Sequence, residues 1–279
     1  MDALDLWLEE SWGDRCALRL KLNGCLHAET TPFQRLAVYD SSLLGRILAL
    51  GGRLVLSESA EAAYAEGLAH SAIACHPAPR RVLILGGGDG GVAREAARHP
   101  LVERIVVIEI DAAVTAASRA WFPTCATGLD DPRVELVFDD AHRYLAEHTE
   151  RFDVIVVDGA ELAVPAADLV HPGPFAPLLC RRLARGGILV APLGNPALDP
   201  AACRTALSAL RAHREALAVY RSPGPHLAAA PLAVAWTGPA LPAEPLHPPP
   251  GPCRHWTAET HRASFALSPE LREALALGD

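Results

Sequence analysis

The chain has no run of eighteen or more apolar residues, so nothing in it reads as a membrane-spanning helix, although half of its 279 residues are hydrophobic. It has no CxxC pair. Its 7 cysteines stand singly, at 16, 25, 75, 125, 180, 203 and 253, which removes zinc-ribbon and thioredoxin-like readings and fits free thiols in a reducing cytoplasm. Positive charge is short: 25 Lys plus Arg stand against 33 Asp plus Glu, a net −8 that disfavours nucleic acid and is compatible with a cationic ligand. The opening "MDALDLWLEESWGD" is acidic and lacks a long apolar core, so no secretion signal is expected. Ser41 and Ser42 lack a GxSxG setting, which argues against a serine hydrolase of that type. His70, His76, His142, His148, His171 and His226 are scattered along the chain and are not expected to form a metal set. No internal repeat is visible.

What is present reads as α/β. Residues 1–56 are β-rich, with alternation in "RCALRLKL", "FQRLAVYDS" and "RILALGGRLVLSE", the last broken by a Gly-Gly hairpin turn. Trp7 and Trp12 are expected to anchor this small antiparallel domain. An Ala-rich helix over 57–75 follows, with Ser57 or Ser59 as its N-cap. The rest, 57–279, forms the second domain. Strands at "RVLILG", 104–110, 134–140, 152–159 and 186–193 alternate with helices near 91–99, 112–120, 141–149 and 174–185. Near-continuous Val/Ile/Leu strands between helices predict a mostly parallel sheet covered on both faces. A helix at 199–213, strand-like runs near 216–221 and 231–236, and a helix in "SPELREALAL" complete the pattern. The proline-rich stretch 238–252 is expected to be a surface loop. Cys75 and Cys180 fall on apolar helix faces and read as core.

In an open parallel sheet the ligand lies past the carboxyl ends of the strands. Four strand ends here carry an acid: Asp89 inside "GGGDGG" after the first strand, Glu109 after the second, Asp140-Ala141 after the third, Asp158 after the fourth. Gly86, Gly88 and Gly91 give a G-x-G-x-x-G pattern, and Glu109 lies 18 positions past Gly91, where an acid accepts hydrogen bonds from ribose hydroxyls. Asp140 also stands where it could cap the next helix. An aspartate among phosphate-loop glycines would repel a diphosphate. A nucleoside with no phosphate and a cationic group near Asp89 fits better, which points to a sulfonium nucleoside: S-adenosylmethionine or its decarboxylated form. The decarboxylated molecule keeps an ammonium and lacks the carboxylate that Asp89 would repel.

With those residues quoted, the sequence resembles the spermidine synthase family of aminopropyltransferases over almost its entire length. "TTPFQRLAVYDSSLLGRILAL" is similar to the family's T-P-Y-Q segment, with Phe33 for Tyr and Gln34 kept. "AAYAEGLAH" matches its Y-x-E-x-L-x-H helix, and "VLILGGGDGGVARE" its glycine-loop signature. "VIEID", "LDDPRVELVFDDA", "FDVIVVD" and "ETHRASFAL" follow in family order. The resemblance implies a Rossmann-like, methyltransferase-type domain behind an N-terminal β domain, assembled as a homodimer or homotetramer. It implies decarboxylated S-adenosylmethionine as co-substrate with no prosthetic group, a small amine as acceptor, and methylthioadenosine as product. In the implied roles Gln34, Glu109, Asp140 and Ala141 hold the nucleoside, Asp89 holds the donor ammonium, Tyr64 lines the acceptor channel and Asp158 is the base.

The departures gather on the acceptor side. The family's D-S-[ST]-D-P is Asp158-Gly159-Ala160-Glu161-Leu162 here, with Glu161 for the second aspartate; Pro192 and Val55 stand for two glutamines. Ala60 replaces an aspartate ahead of Glu61, and Tyr220 is a poor substitute for a later tyrosine segment. His261 and Arg262 are expected to contact the N-terminal domain or a second subunit. Three readings stay open: an aminopropyltransferase using another amine, an S-adenosylmethionine-dependent N-methyltransferase, and a non-catalytic nucleoside-binding relative.

Overall fold

The computed structural model describes residues 6–12, 16–159, 175–211, 216–224, 232–238 and 244–277. At the start, β1 (Leu6–Trp12) and β2 (Cys16–Leu22) pair antiparallel. A four-stranded antiparallel sheet follows in sequence order: β3 (Gly24–Thr30), β4 (Arg35–Ser41), β5 (Gly45–Leu50) and β6 (Arg53–Ser57). The β5–β6 hairpin turns on Gly51 and Gly52, with φ of 58° and 82°, the left-handed region that a two-residue turn of this kind requires. β1 and β3 are not anticipated by the sequence reading. β3 is mostly exposed, and β1 places Glu10 in a buried position, so neither shows an apolar alternation. Trp7 does not anchor the sheet either. It is 41% exposed, with the Arg19 guanidinium 5.1 Å and the Lys21 ammonium 6.0 Å from its ring centroid.

The next helix, α1 (Glu61–Ile73), starts after Ala60, not at a serine. Its N-cap makes no side-chain bond, and the Ser57 and Ser59 hydroxyls face each other at 3.2 Å instead. Nearly every α1 residue is buried, which is why an Ala-rich sequence without a polar stripe suits it. Then come β7 (Arg81–Gly86), α2 (Gly91–Ala97), β8 (Arg104–Glu109), α3 (Ala112–Trp121), α4 (Pro123–Ala126), β9 (Val134–Phe138), α5 (Ala141–Glu147) and β10 (Phe152–Asp158). Farther on are α6 (Phe175–Arg182), β11 (Leu183–Gly194), α7 (Pro200–Arg211), β12 (Ala216–Ser222), β13 (Leu232–Gly238), α8 (Ala258–Ser264) and α9 (Pro269–Ala274).

The seven-stranded sheet has the order β12-β13-β11-β10-β7-β8-β9. Its first five strands in sequence, β7 to β11, are parallel to one another, and β13 runs antiparallel to both β11 and β12. Leu83, Leu85 and Ile155 face α5, α6 and α7, while Val82, Ile84 and Val156 face α1 and α2. Chain order reverses at β7, between β8 and β10, so a cleft opens past the carboxyl ends there. Leu36, Val38, Leu48 and Leu56 of the N-terminal sheet pack on Val114, Ala117, Phe122 and Cys125, which sets that sheet against the cleft's outer wall.

Two further expectations change. α8 was not anticipated, although Thr257 and Thr260 form a capping box at its start. His261 is buried against Trp256, Phe265 and Cys75, not against the N-terminal domain, and Arg262 pairs with Glu244. Cys75 is only half-buried, but burial pushes its thiol up to about 12. The segment 244–252 carries neither helix nor strand, as its prolines predict.

Candidate active site

The site is assembled at the ends of β7, β8 and β10. Gly86 pairs with Asp158 across the parallel β7–β10 ladder, so the glycine loop and the β10 acid begin side by side. The loop turns at Gly87, whose carbonyl accepts from the Gly90 N–H at 3.0 Å, and enters α2 through Gly90 at φ 91°. Gly88 is needed for a different reason. A Cβ there would lie 2.6 Å from the Glu109 side chain, so only glycine lets the β8 acid close on the loop.

That close approach defines the Glu109 site. Its Oε2 accepts from the Gly88 N–H at 3.1 Å and its Oε1 from the Asp111 N–H at 2.8 Å. The residue is 7% exposed. Burial raises its carboxyl above the ordinary glutamate range and the like charges of Asp89 and Asp111 add to this; the two backbone bonds oppose the rise. A carboxylate has about four acceptor positions, so two remain for hydroxyl donors.

Asp89 is half-buried in the same loop. Its Oδ1 accepts from the Gly91 N–H at 2.7 Å and from the Cys125 thiol at 3.1 Å. The Gly91 N–H is therefore engaged by Asp89. On the other side of the cleft, the Tyr64 hydroxyl donates to Asp158 Oδ1 at 2.9 Å. Asp158 also presses on the loop, since a Cβ at Gly87 would come within 2.8 Å of its Oδ2. Tyr64 and Asp158 lie 94 positions apart in the chain. The sequence names both and gives no sign that they touch.

Gln34 reaches the site from the N-terminal sheet. Its amide donates to Asp111 Oδ2 at 3.3 Å, and the Thr31 hydroxyl donates to the same oxygen at 2.7 Å. Asp111 Oδ1 accepts from the Ala113 N–H, capping α3. One buried carboxylate thus ties the β3–β4 turn to the β8–α3 loop beside Glu109. Neither Thr31 nor Asp111 stands at a position that the sequence marks as functional. Asp111 is inside the quoted "VIEID" and Thr31 inside "TTPFQ", so position was the only available signal. Cys125 and Thr115, whose hydroxyl donates to the Gly88 carbonyl at 2.9 Å, had none.

Asp140 takes the capping role weighed for it: its Oδ1 accepts from the Arg143 N–H at 2.8 Å at the start of α5, where Ala141 is the first residue. Glu161 lies outside the described residues. Of the divergent positions, Val55 packs against the apolar cluster shared by the N-terminal sheet, α3 and α4. Glu61 is held by two bonds from Arg94, at 3.1 and 3.0 Å. The Tyr220 hydroxyl donates to the Gly67 carbonyl at 3.0 Å. Pro192 is buried in β11, two residues past the last β10 pairing at Val190, where a strand no longer needs an N–H toward that neighbour. None of Val55, Pro192 and Tyr220 offers a free polar group in place of the one lost, and Glu61, the acid kept beside Ala60, is taken up by Arg94.

No helix among the described residues is long and apolar enough to cross a membrane. Strand order and the preceding antiparallel sheets define a Rossmann-like, methyltransferase-type α/β protein. Residues 61–237 match the spermine/spermidine synthase domain, and residues 6–58 match the spermidine synthase tetramerisation domain. The chain is 33% identical to the polyamine aminopropyltransferase of Moorella thermoacetica over 97% of its own length and 96% of the relative's. It is 45% identical to the enzyme of that name from Desulforudis audaxviator, in a match spanning 60% of each chain. The crystal structure of spermidine synthase from Thermotoga maritima superposes with a TM-score of 0.88 at 26% identity, covering 99% of this chain and 96% of the other. A second spermidine synthase structure, in complex with the transition-state analogue AdoDATO, gives 0.89 at 26% identity, covering 99% and 97%. The chain belongs to the spermidine synthase family, and as a member of it is a transferase.

Proposed function

We propose that the protein moves an aminopropyl group from decarboxylated S-adenosylmethionine to a small amine and releases methylthioadenosine. The observation that carries this reading is the Asp89 carboxylate, set among glycines beside Glu109. Among the described residues, its hydrogen-bond partners are a backbone N–H and a thiol, with no cation. An acid in that state attracts an ammonium and repels the carboxylate of the intact methionine tail. That a structural relative was solved in complex with the transition-state analogue AdoDATO supports this reading.

The remaining roles are part of the same proposal. Glu109, with its two spare acceptor positions, takes the ribose hydroxyls. Gln34 borders the sulfonium side, Gly86 and Gly88 allow the loop to approach the nucleoside, and Asp140 with Ala141 lies at the adenine end. Asp158 receives the acceptor amine, with Tyr64 fixing its carboxylate and Glu161 extending the acidic lining. A primary amine has a pKa of about 10 and arrives as an ammonium ion. Asp158 attracts it and takes up a proton. The nitrogen lone pair then attacks the propyl carbon, the C–S bond breaks, and its electron pair remains on sulfur as a neutral thioether. Alignment of nucleophile and leaving group supplies much of the acceleration. We also place the domain division at 1–56 and 57–279, assembly as a homodimer or homotetramer through the N-terminal region, and a cytoplasmic setting.

The test is direct. Purified protein is incubated with the decarboxylated donor and a panel of diamines and triamines, and products are read by mass spectrometry. Equal yields of methylthioadenosine and of an amine heavier by one aminopropyl group are expected. Tighter binding of intact S-adenosylmethionine together with a methylated amine would overturn the proposal. Tight methylthioadenosine binding with no product from any amine would leave a nucleoside-binding relative.

A further inference from the structure

The glycines at 90 and 91 are set against protein, not only against a ligand. A Cβ at Gly90 would meet the Cys125 carbonyl at 3.0 Å, and one at Gly91 would meet the Cys125 Sγ at 3.0 Å. The loop is thus packed directly on α4, which presents Cys125 toward Asp89. Cys125 is 2% exposed and belongs to the apolar contact between α3, α4 and the N-terminal sheet. Its thiol donates to Asp89 Oδ1, the oxygen that also takes the Gly91 N–H, so both observed bonds fall on one side of the carboxylate.

We propose that Cys125 is a positioning residue for the donor: with the Gly91 N–H it ties down Oδ1 of Asp89, so that Oδ2 is the oxygen presented to the donor's ammonium. This rests on the ammonium-binding reading of Asp89. The chemistry of the group suits the task. An arginine here would neutralise the carboxylate before the ligand arrived. A thiol is a weak, neutral donor that fixes the rotamer and leaves the negative charge in place. Burial keeps the thiol protonated, well above its ordinary pKa, with the Asp89 charge adding to the rise; it therefore stays a donor at neutral pH.

The experiment compares two ligands that differ in the tail. Affinities for decarboxylated S-adenosylmethionine and for methylthioadenosine, which has no ammonium, are measured by calorimetry on wild type, Cys125→Ser, Cys125→Ala, Cys125→Val and Asp89→Asn. Cys125→Ala and Cys125→Val should weaken the ammonium-bearing ligand about fivefold, the scale of one net hydrogen bond, and leave methylthioadenosine within about twofold. Cys125→Ser should restore the preference. Equal losses for both ligands, or equal losses in the Ser and Ala variants, would reduce Cys125 to packing and overturn the inference. If Asp89→Asn removes the ammonium preference while the Cys125 variants keep it, the Cys125 role alone fails. If Asp89→Asn keeps the preference, the ammonium-binding reading itself fails and takes this role with it.

Discussion

Two buried carboxylates in neighbouring layers are treated in opposite ways. Glu95 on α2 accepts from Arg98 at 2.7 Å and Arg94 at 2.8 Å, with a His70 ring nitrogen at 3.2 Å. Burial alone would raise its pKa, but the His70, Arg98 and Arg94 bonds outweigh burial and bring it down to about 2. Among the described residues, Glu109 at the end of β8 has two backbone N–H partners and no cation, and its pKa goes up. Glu61 and Glu95 come with their own cations, Arg94 and Arg98, and serve to hold the helices together, while Glu66 on α1 is closed off by the backbone N–H groups of Arg254, His255 and Trp256. The acids of the glycine loop and β8 are held in place by neutral donors, so their charge is still available. A binding site for a cation-bearing nucleoside needs that arrangement, and a structural ion network does not.

The largest effect should come from the catalytic end of this contrast. Asp158→Asn should lower turnover on the order of a thousandfold, within the range of general-base contributions, while donor affinity stays nearly constant. Single-turnover rates beside calorimetric donor binding separate the two, and an unchanged rate would remove Asp158 from its role. Glu95→Gln probes the other member of the comparison. A neutral amide cannot satisfy two guanidiniums and a histidine, and a shift from the ordinary carboxyl value of 4.5 to about 2 corresponds to on the order of 3 kcal/mol. Because the folded-state pKa is depressed, that stability is present above about pH 4.5 and is lost as pH falls toward 2. Calorimetric scans should show the variant melting roughly 5–10 °C lower at pH 7, with the gap to wild type narrowing on acidification. Its activity per folded molecule should hardly change. A loss of activity without a loss of stability would erase the distinction between the two acids.

The sequence made the site acids legible and left their settings hidden, for physical reasons. β7, β8 and β10 are buried on both faces, so their continuous apolar runs announce them, and each strand end falls on a named acid. The Tyr64–Asp158 bond and the hold of Thr31 and Gln34 on Asp111 are contacts between distant segments that no local pattern encodes. β1 and β3 show no apolar alternation because one carries a buried glutamate and the other is largely exposed. Glu61 resembled an acceptor-side acid by position, yet Arg94 occupies it. Cys125 sits on a four-residue helix behind Pro123, where periodicity gives no signal.

A subtler test turns on pH. Glu109 must be ionised to accept from two ribose hydroxyls, and its raised pKa moves the point where that capacity is lost to a higher pH than for an ordinary glutamate. Methylthioadenosine affinity should therefore weaken on acidification while the fold, measured by tryptophan fluorescence, is still intact. Glu109→Gln should bind more weakly at neutral pH and show a flatter profile. An identical pH profile in the two proteins would mean that another group controls nucleoside binding.

The smallest expected effect belongs to the tie between the N-terminal sheet and the cleft. Thr31→Val keeps the side-chain volume close and removes the hydroxyl that donates to Asp111 Oδ2, leaving Gln34 as that oxygen's other observed donor. The same hydroxyl accepts from the Phe33 and Gln34 N–H groups, so the turn that carries Gln34 also loosens. Asp111 keeps its cap on α3, and Glu109 keeps the Asp111 N–H. Donor affinity should fall about threefold, at the lower end of what a net hydrogen bond contributes, with little change in turnover at saturating donor. The effect should be similar for methylthioadenosine and for the decarboxylated donor, because the tie acts at the ribose and sulfur end and not at the ammonium. If the loss were confined to the ammonium-bearing ligand, Asp111 and the β3–β4 turn would belong with Asp89, and the separation between holding the nucleoside and selecting its tail would fail.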